Sequence, residues 1–249
     1  MARLIEGKEA DQKDWNFMVS IFHRYIPNKF VPICGGVILT EQYILTAAHC
    51  LFKKEPENFV IGADGTKIPS FLELKGEKVP ISNWGIAYRY VESLTIHPQY
   101  NDVKVLNDIG ILKVSEPLQF LLQNVRTISL ETALKAPKGK VILKSFQNII
   151  NIILTAGDIC RVAGLGKVVE ENKGKGKITL QKEDILKESD VSILSLEECK
   201  DFYTPDIIEK LIMIFKGEKK MKVRDHNICA NTTGTSEFCV VRSLFTQYS

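Results

Sequence analysis

Short apolar segments separated by turn residues recur along the first half of the chain, and this spacing constrains the fold more than any other feature. "NFMVSIFH" (Asn16 to His23), "GGVILT" (Gly35 to Thr40), "ENFVIGA" (Glu57 to Ala63), "VESLTIHP" (Val91 to Pro98) and "IGILKV" (Ile109 to Val114) are rich in strand-forming residues. Asp64-Gly65, Pro98 and Asn107-Asp108 supply turn signals between them. The segments thus read as short strands spaced by turns. They predict an all-β barrel or sandwich. Helical pieces are few. "TAAHCLF" is long enough for one turn, and "SLEECKDFY" (Ser195 to Tyr203) opens with an N-cap serine and carries Glu198 at the capping-box position. Ser195 is therefore read as a helix cap and not as a nucleophile.

Bulk properties exclude several classes. The chain has 249 residues, 45% hydrophobic and 25% charged, which is ordinary for a globular protein and unlike a disordered one. Its net charge of +3 gives no reason to expect a nucleic-acid or membrane partner. The lysine cluster "GEKKMKVR" (Gly217 to Arg224) reads as a solvated face, and "ENKGKGK" (Glu171 to Lys177) as an exposed loop without phosphate-loop spacing. The least charged stretch, "SFQNIINIILTAG", is interrupted by Gln147, Asn148 and Asn151 and falls well short of the ~20 apolar residues of a spanning helix. The start "MARLIEGKEA" has no apolar core of a signal peptide, so a literal reading places the protein in the cytosol. Six cysteines could pair or bind metal, but without CxxC or HxxxH spacing no metal site is expected. An even cysteine count points towards an oxidising compartment.

The stretch "CGGVILTEQYILTAAHC" encloses His49 between Cys34 and Cys50. It resembles the chymotrypsin/trypsin-like serine protease family, in which the catalytic histidine precedes the closing cysteine of such a segment. The resemblance continues at "NDIGILKV", where Asp108 falls on the position of the catalytic aspartate, and at "RLIEGKEA", which is similar to an activation site cleaved between Arg3 and Leu4. Glu6 replaces a glycine of that site. "CRVAGLGK" from Cys160, with Leu165 in place of a tryptophan, "DVSILSLEEC" and "HNICA" follow in the family's order. The resemblance implies disulfides Cys34–Cys50 and Cys199–Cys229, His49 as general base, Asp108 as the carboxylate that orients it, and no cofactor. It also implies an extracellular location, against the literal reading of the N-terminus. His97, before a proline, and His23 and His226 are expected to be non-catalytic. Asn231 lies in an N-x-T sequon.

The resemblance fails at the nucleophile. After Cys229 the chain reads "ANTTGTSEFCVVRSLFTQYS" and contains no Gly-Asp-Ser-Gly. Aligning Cys239 with the family's cysteine puts Ser243 on the nucleophile position and Glu237 at the base of the specificity pocket, a match too poor to assign specificity. The residue before the serine is then Arg242 in place of the aspartate that pairs with a freed amine. Val241 and Leu244 replace the glycines that let the backbone aim two N–H groups at an oxyanion. Ser243 is thus only a positional candidate, and the chain as written is expected to be inactive. Cys160 and Cys239 are left over, and a bond between them would lie outside the family's connectivity.

The expected fold is the trypsin-like pair of six-stranded Greek-key barrels. Residues 4–118 form the first, with His49 and Asp108, and residues 119–249 an incomplete second, with few residues after Ser243 and an apparent insertion at 133–154. One account covers both irregularities, retained non-coding sequence in the middle and a misread or alternative final exon, and the rival is a diverged homologue with a long inter-barrel loop. The implied function is endopeptidase chemistry on protein or peptide substrates in a complete form. The alternatives are a non-catalytic homologue that binds a protein partner, such as a protease or cell-surface receptor, and a non-functional fragment.

Overall fold

The computed structural model describes residues 8–63, 69, 72–74, 87–104, 106–120, 125–128, 156–172, 177–195, 197–198, 201 and 230–232. The fold is all-β. Its strands are β1 (Lys8–Glu9), β2 (Met18–Ile26), β3 (Lys29–Ile38), β4 (Tyr43–Thr46), β5 (Phe59–Ala63), β6 (Leu72–Glu73), β7 (Ala87–Ile96), β8 (Gly110–Val114), β9 (Ile159–Asn172), β10 (Lys177–Ile193) and β11 (Ala230–Thr232). The one-turn helices α1 (Gln12–Trp15) and α2 (Ala48–Leu51) and a 3-10 turn (Pro56–Asn58) interrupt them among the described residues.

Six strands close on themselves in the order β2-β5-β7-β8-β4-β3, with β3 pairing back to β2 and β6 attached to β3. Every pairing is antiparallel. Closure removes the open edges that a flat sheet would present to other chains. The β2–β3 hairpin turns through Pro27 and Asn28, with Ile26 paired to Lys29. Proline presets the first turn position and asparagine tolerates the left-handed second one, where Asn28 has φ 65°.

Alternation decides which side chains fill the barrel. On β8, Gly110, Leu112 and Val114 are buried while Ile111 and Lys113 are not fully so. Leu112 and Val114 join Val19, Ile21, Ile38, Ile44, Phe59 and Ile61 in the interior cluster. Every residue of β5 is buried, because a second cluster of Phe22, Phe30, Val60, Leu72, Leu74 and Tyr88 covers its outer face. A third cluster joins Trp15 of α1, Phe17 and the barrel residues Val37 and Leu45 to Leu186 on β10.

In the second half β10 is the hub. It pairs with β9 over most of its length, with β1 at residues 187–188 and with β11 at residues 191–193. The chain's N-terminal strand is therefore paired with the second sheet and not with the barrel that follows it. One sequence expectation changes here. Glu171, Asn172 and Lys177 are not loop but strand ends, with Asn172 opposite Lys177 and Glu171 opposite Ile178. Asn231 of the sequon is a strand residue opposite Ser192. The capping box is present in both directions: Ser195 Oγ accepts from the Glu198 N–H at 3.1 Å, and Glu198 Oε2 accepts from the Ser195 N–H at 2.7 Å. The 133–154 stretch lies outside the described residues.

Candidate active site

His49 and Asp108 are 59 residues apart in sequence and meet because of one strand pairing. β4 and β8 are antiparallel neighbours, with Thr46 opposite Gly110. The last residue of β4 thus sits beside the first residue of β8. His49 lies just beyond β4 on α2, and Asp108 lies just before β8, so both project from the same end of the ladder.

Local contacts hold each of them. α2 is bonded to β3 by the Cys34–Cys50 disulfide, with Cα atoms 6.3 Å apart. The end of α2 is capped by Lys54, whose Nζ donates to the Cys50 carbonyl at 2.9 Å. Burial pushes the Lys54 ammonium below its ordinary pKa. Buried Thr46 donates from its hydroxyl to the Gly35 carbonyl at 3.0 Å, tying the entry of α2 to the strand that carries Cys34. Before Asp108, Asn107 takes a left-handed φ of 55° and donates from its side chain to the Gln99 carbonyl at 2.9 Å.

The Asp108 carboxylate is buried and engages His49 twice. Oδ1 accepts from the His49 backbone N–H at 2.7 Å, and Oδ2 lies 2.6 Å from Nδ1. A carboxylate only accepts, so Nδ1 carries the proton and Nε2 presents a lone pair when the ring is neutral. The His49 side chain is 34% exposed against 2% for Asp108. One ring nitrogen is thus held inside while the imidazole keeps an accessible face. Tyr100 flanks the pair. Its ring stands edge-on to Phe52 at 5.2 Å, and its hydroxyl donates to Asp102 at 3.2 Å. Burial, with the negative charges of Asp108 and Asp102, pushes the Tyr100 phenol well above its ordinary pKa. Nothing in the residues around Tyr100 singled it out in the sequence, because its placement depends on the fold of the 97–107 loop.

Cys34, His49 and Cys50 place their ligand-type atoms within 4.8 Å of one another. With the two sulfurs covalently joined, neither is a thiolate, so the oxidised protein offers no metal-ligand set there. His97 is used in a turn, its Nδ1 accepting from the Gln99 N–H at 3.1 Å. His23 sits half-buried on β2 with its ring edge-on to Phe59 at 5.0 Å. Arg3, Leu4, Glu6, Cys199, His226, Cys229, Glu237, Cys239 and Ser243 lie outside the described residues. Cys160 is buried on β9.

Comparison with known proteins follows the same line. The trypsin family profile matches residues 4–240. Granzyme-like protein 1 of Rattus norvegicus is 28% identical over 94% of the chain and 75% of its own length. Serine protease 28 of Mus musculus is 25% identical over 93% of the chain and 69% of its length. Bovine (Bos taurus) chymotrypsin-C is 28% identical over 47% of the chain and 39% of its length.

Proposed function

The chain belongs to the trypsin family of proteolytic enzymes, and from that premise we propose that His49 is a general base oriented by Asp108 while the chain as written does not hydrolyse peptide bonds. The observation that carries the first half is the 2.6 Å contact between Nδ1 and a buried Oδ2, together with an imidazole that remains accessible. A base held in one tautomer by an internal carboxylate can take a proton from a hydroxyl nucleophile and return it to a leaving amine. The substrates of a complete form are protein or peptide chains.

The second half rests on the residues around Ser243. Arg242 places a cation where the family has an aspartate, and Val241 and Leu244 replace glycines. β-Branched valine resists the backbone turn that aims N–H groups at a developing oxyanion. Losing a single oxyanion donor costs about a hundred- to a thousand-fold in rate. The same substitutions favour a second reading, a non-catalytic homologue that binds a protein partner through its loops. An extracellular location, cleavage between Arg3 and Leu4, and a Cys199–Cys229 bridge complete the proposal. The Cys34–Cys50 bridge supports the location, because such bonds persist in oxidising compartments.

Labelling with a fluorophosphonate probe tests the central point. The purified chain is expected to stay unlabelled, alongside a Ser243→Ala control. Labelling of the parent chain that disappears in the control would establish Ser243 as a working nucleophile and overturn the inactive reading.

A further inference from the structure

The contact between His49 and Asp108 requires α2 and the segment before β8 to keep one relative orientation. The segment between β7 and β8 is bonded to itself. The His97 N–H donates to the Ile109 carbonyl and the Tyr100 N–H to the His97 carbonyl, each at 2.9 Å. Asn101 and Leu106 exchange backbone hydrogen bonds at 3.0 and 3.2 Å, and the Asn107 side chain donates to the Gln99 carbonyl at 2.9 Å. These bonds fix Asp108 relative to Tyr100. The helix α2 is a separate piece of one turn. Asp108 grips it at the His49 N–H. Its far end is Phe52, whose N–H donates to the Ala48 carbonyl at 2.8 Å and closes the turn. The half-buried Tyr100 ring meets Phe52 there, edge-on at 5.2 Å between centroids.

We propose that Tyr100 is a positioning residue for the His49–Asp108 pair, its ring setting the orientation of α2 through Phe52. A helical turn held at one point can pivot about it, and a second hold at the other end of the turn stops the pivot. An edge-on aromatic pair suits this role because the positive ring edge and the negative face favour particular orientations, where an aliphatic contact would only fill space. The hydroxyl steadies the ring from the other side. It donates to Asp102 at 3.2 Å, two residues on in the same segment. Burial, then the negative charges of Asp108 and Asp102, hold the phenol above its ordinary pKa, so it remains a donor.

The other ties of α2 lead elsewhere. The Cys34–Cys50 bridge joins it to β3, and Lys54 caps its own Cys50 carbonyl. Tyr100 supplies a tie to the segment that carries Asp108. Such a tie matters because the His49 side chain is 34% exposed. An imidazole that loses its alignment with the carboxylate can turn towards water, and a catalytic group misplaced by about 1 Å costs on the order of a hundred-fold in rate. The inference rests on the reading of His49 as a base oriented by Asp108. It does not depend on whether the chain is an active peptidase.

The test is proton NMR of the full chain with isotope-labelled histidine. A proton in a short hydrogen bond to a carboxylate is strongly deshielded. The Nδ1–H signal of His49, identified by its loss in His49→Ala, is therefore expected far downfield and slow to exchange with water. Tyr100→Ala and Phe52→Ala are each expected to lose this signal to exchange. Tyr100→Phe keeps the ring and is expected to keep the signal. Tyr88→Ala removes another edge-on tyrosine, the partner of Phe22 at 6.1 Å, and should leave the signal in place. If Tyr100→Ala does not fold by circular dichroism, Phe52→Ala, which leaves Tyr100 intact, decides. A signal retained in folded Tyr100→Ala or Phe52→Ala overturns the inference and leaves the pairing of His49 with Asp108 standing. Loss in Tyr100→Phe overturns the assignment to the ring, and loss in Tyr88→Ala reduces the effect to general stability and overturns it too. Absence of the signal from the folded parent chain overturns the pairing itself, and the inference with it.

Discussion

At the residue scale, charge and burial act on single side chains in ways that can be measured. His23 is half-buried against Phe59, and burial lowers its pKa below the ordinary value of 6.5, aided by the positive charge of Lys54. The folded protein therefore binds the His23 proton less readily than the unfolded chain does. Stability from this group is complete above about pH 6.5 and is lost as pH falls through the lower folded-state value. Denaturant titrations should show the midpoint dropping on acidification below that point, and His23→Gln should flatten this part of the profile. An unchanged profile in the variant would place the acid sensitivity elsewhere. Asp108 is a different case. It has little solvent contact, and its value lies in accepting two hydrogen bonds from one residue.

At the element scale, α2 owes its position to what lies beneath it. Gly110 opens β8 under this helix. A methyl group there would come within 2.8 Å of the Leu51 side chain, 3.3 Å of the Thr95 carbonyl and 3.5 Å of the Ala48 Cα. Leu51 is fully buried, so it has no room to swing aside. Gly110→Ala is expected to destabilise the protein by about 1–3 kcal/mol, the usual range for overpacking. It should also shift the His49 imidazole resonances, since α2 moves with Leu51. A neutral substitution with unmoved resonances would contradict this packing. The strand β10 shows why some elements resist sequence reading. Its middle, "QKEDILKESD", is rich in charged residues of low strand propensity. Pairing with β9, β1 and β11 makes it a strand anyway.

At the scale of the whole molecule, the N-terminal segment joins the two sheets. β1 pairs with β10, and the Ala10 N–H continues the ladder to the Leu186 carbonyl at 2.9 Å. Beneath it Glu188 is buried, accepts from the Trp15 indole N–H, and pairs with Lys8 at 3.1 Å. Arg161 on β9 bonds Asp14 at 2.8 Å and approaches Glu188 at 3.7 Å. Glu188→Ala removes the acceptor of a buried donor, which costs about 1–3 kcal/mol. Urea unfolding should show the stability lower by that amount, read as a lower midpoint at unchanged slope. Trp15→Phe in the same background should restore part of it, because the orphaned indole N–H is then absent. No recovery would mean that the Lys8 and Arg161 pairs, not the indole, carry the stability.

Short runs of strand-forming residues between turn signals were enough to read an all-β chain, because strand propensity and turn chemistry are local properties of the sequence. The same local information exposed His49 between its two cysteines and the Ser195–Glu198 cap. Asp108 was legible only through resemblance, since an aspartate before a strand is by itself a turn residue. The meeting of Asp108 with His49, the transfer of β1 to the second sheet, and the burial of Glu188 beneath Trp15 were decided by tertiary structure alone. Each depends on pairings between residues far apart in the chain, and such pairings follow from the closure of the barrel and the packing of one sheet on another, which no local pattern encodes.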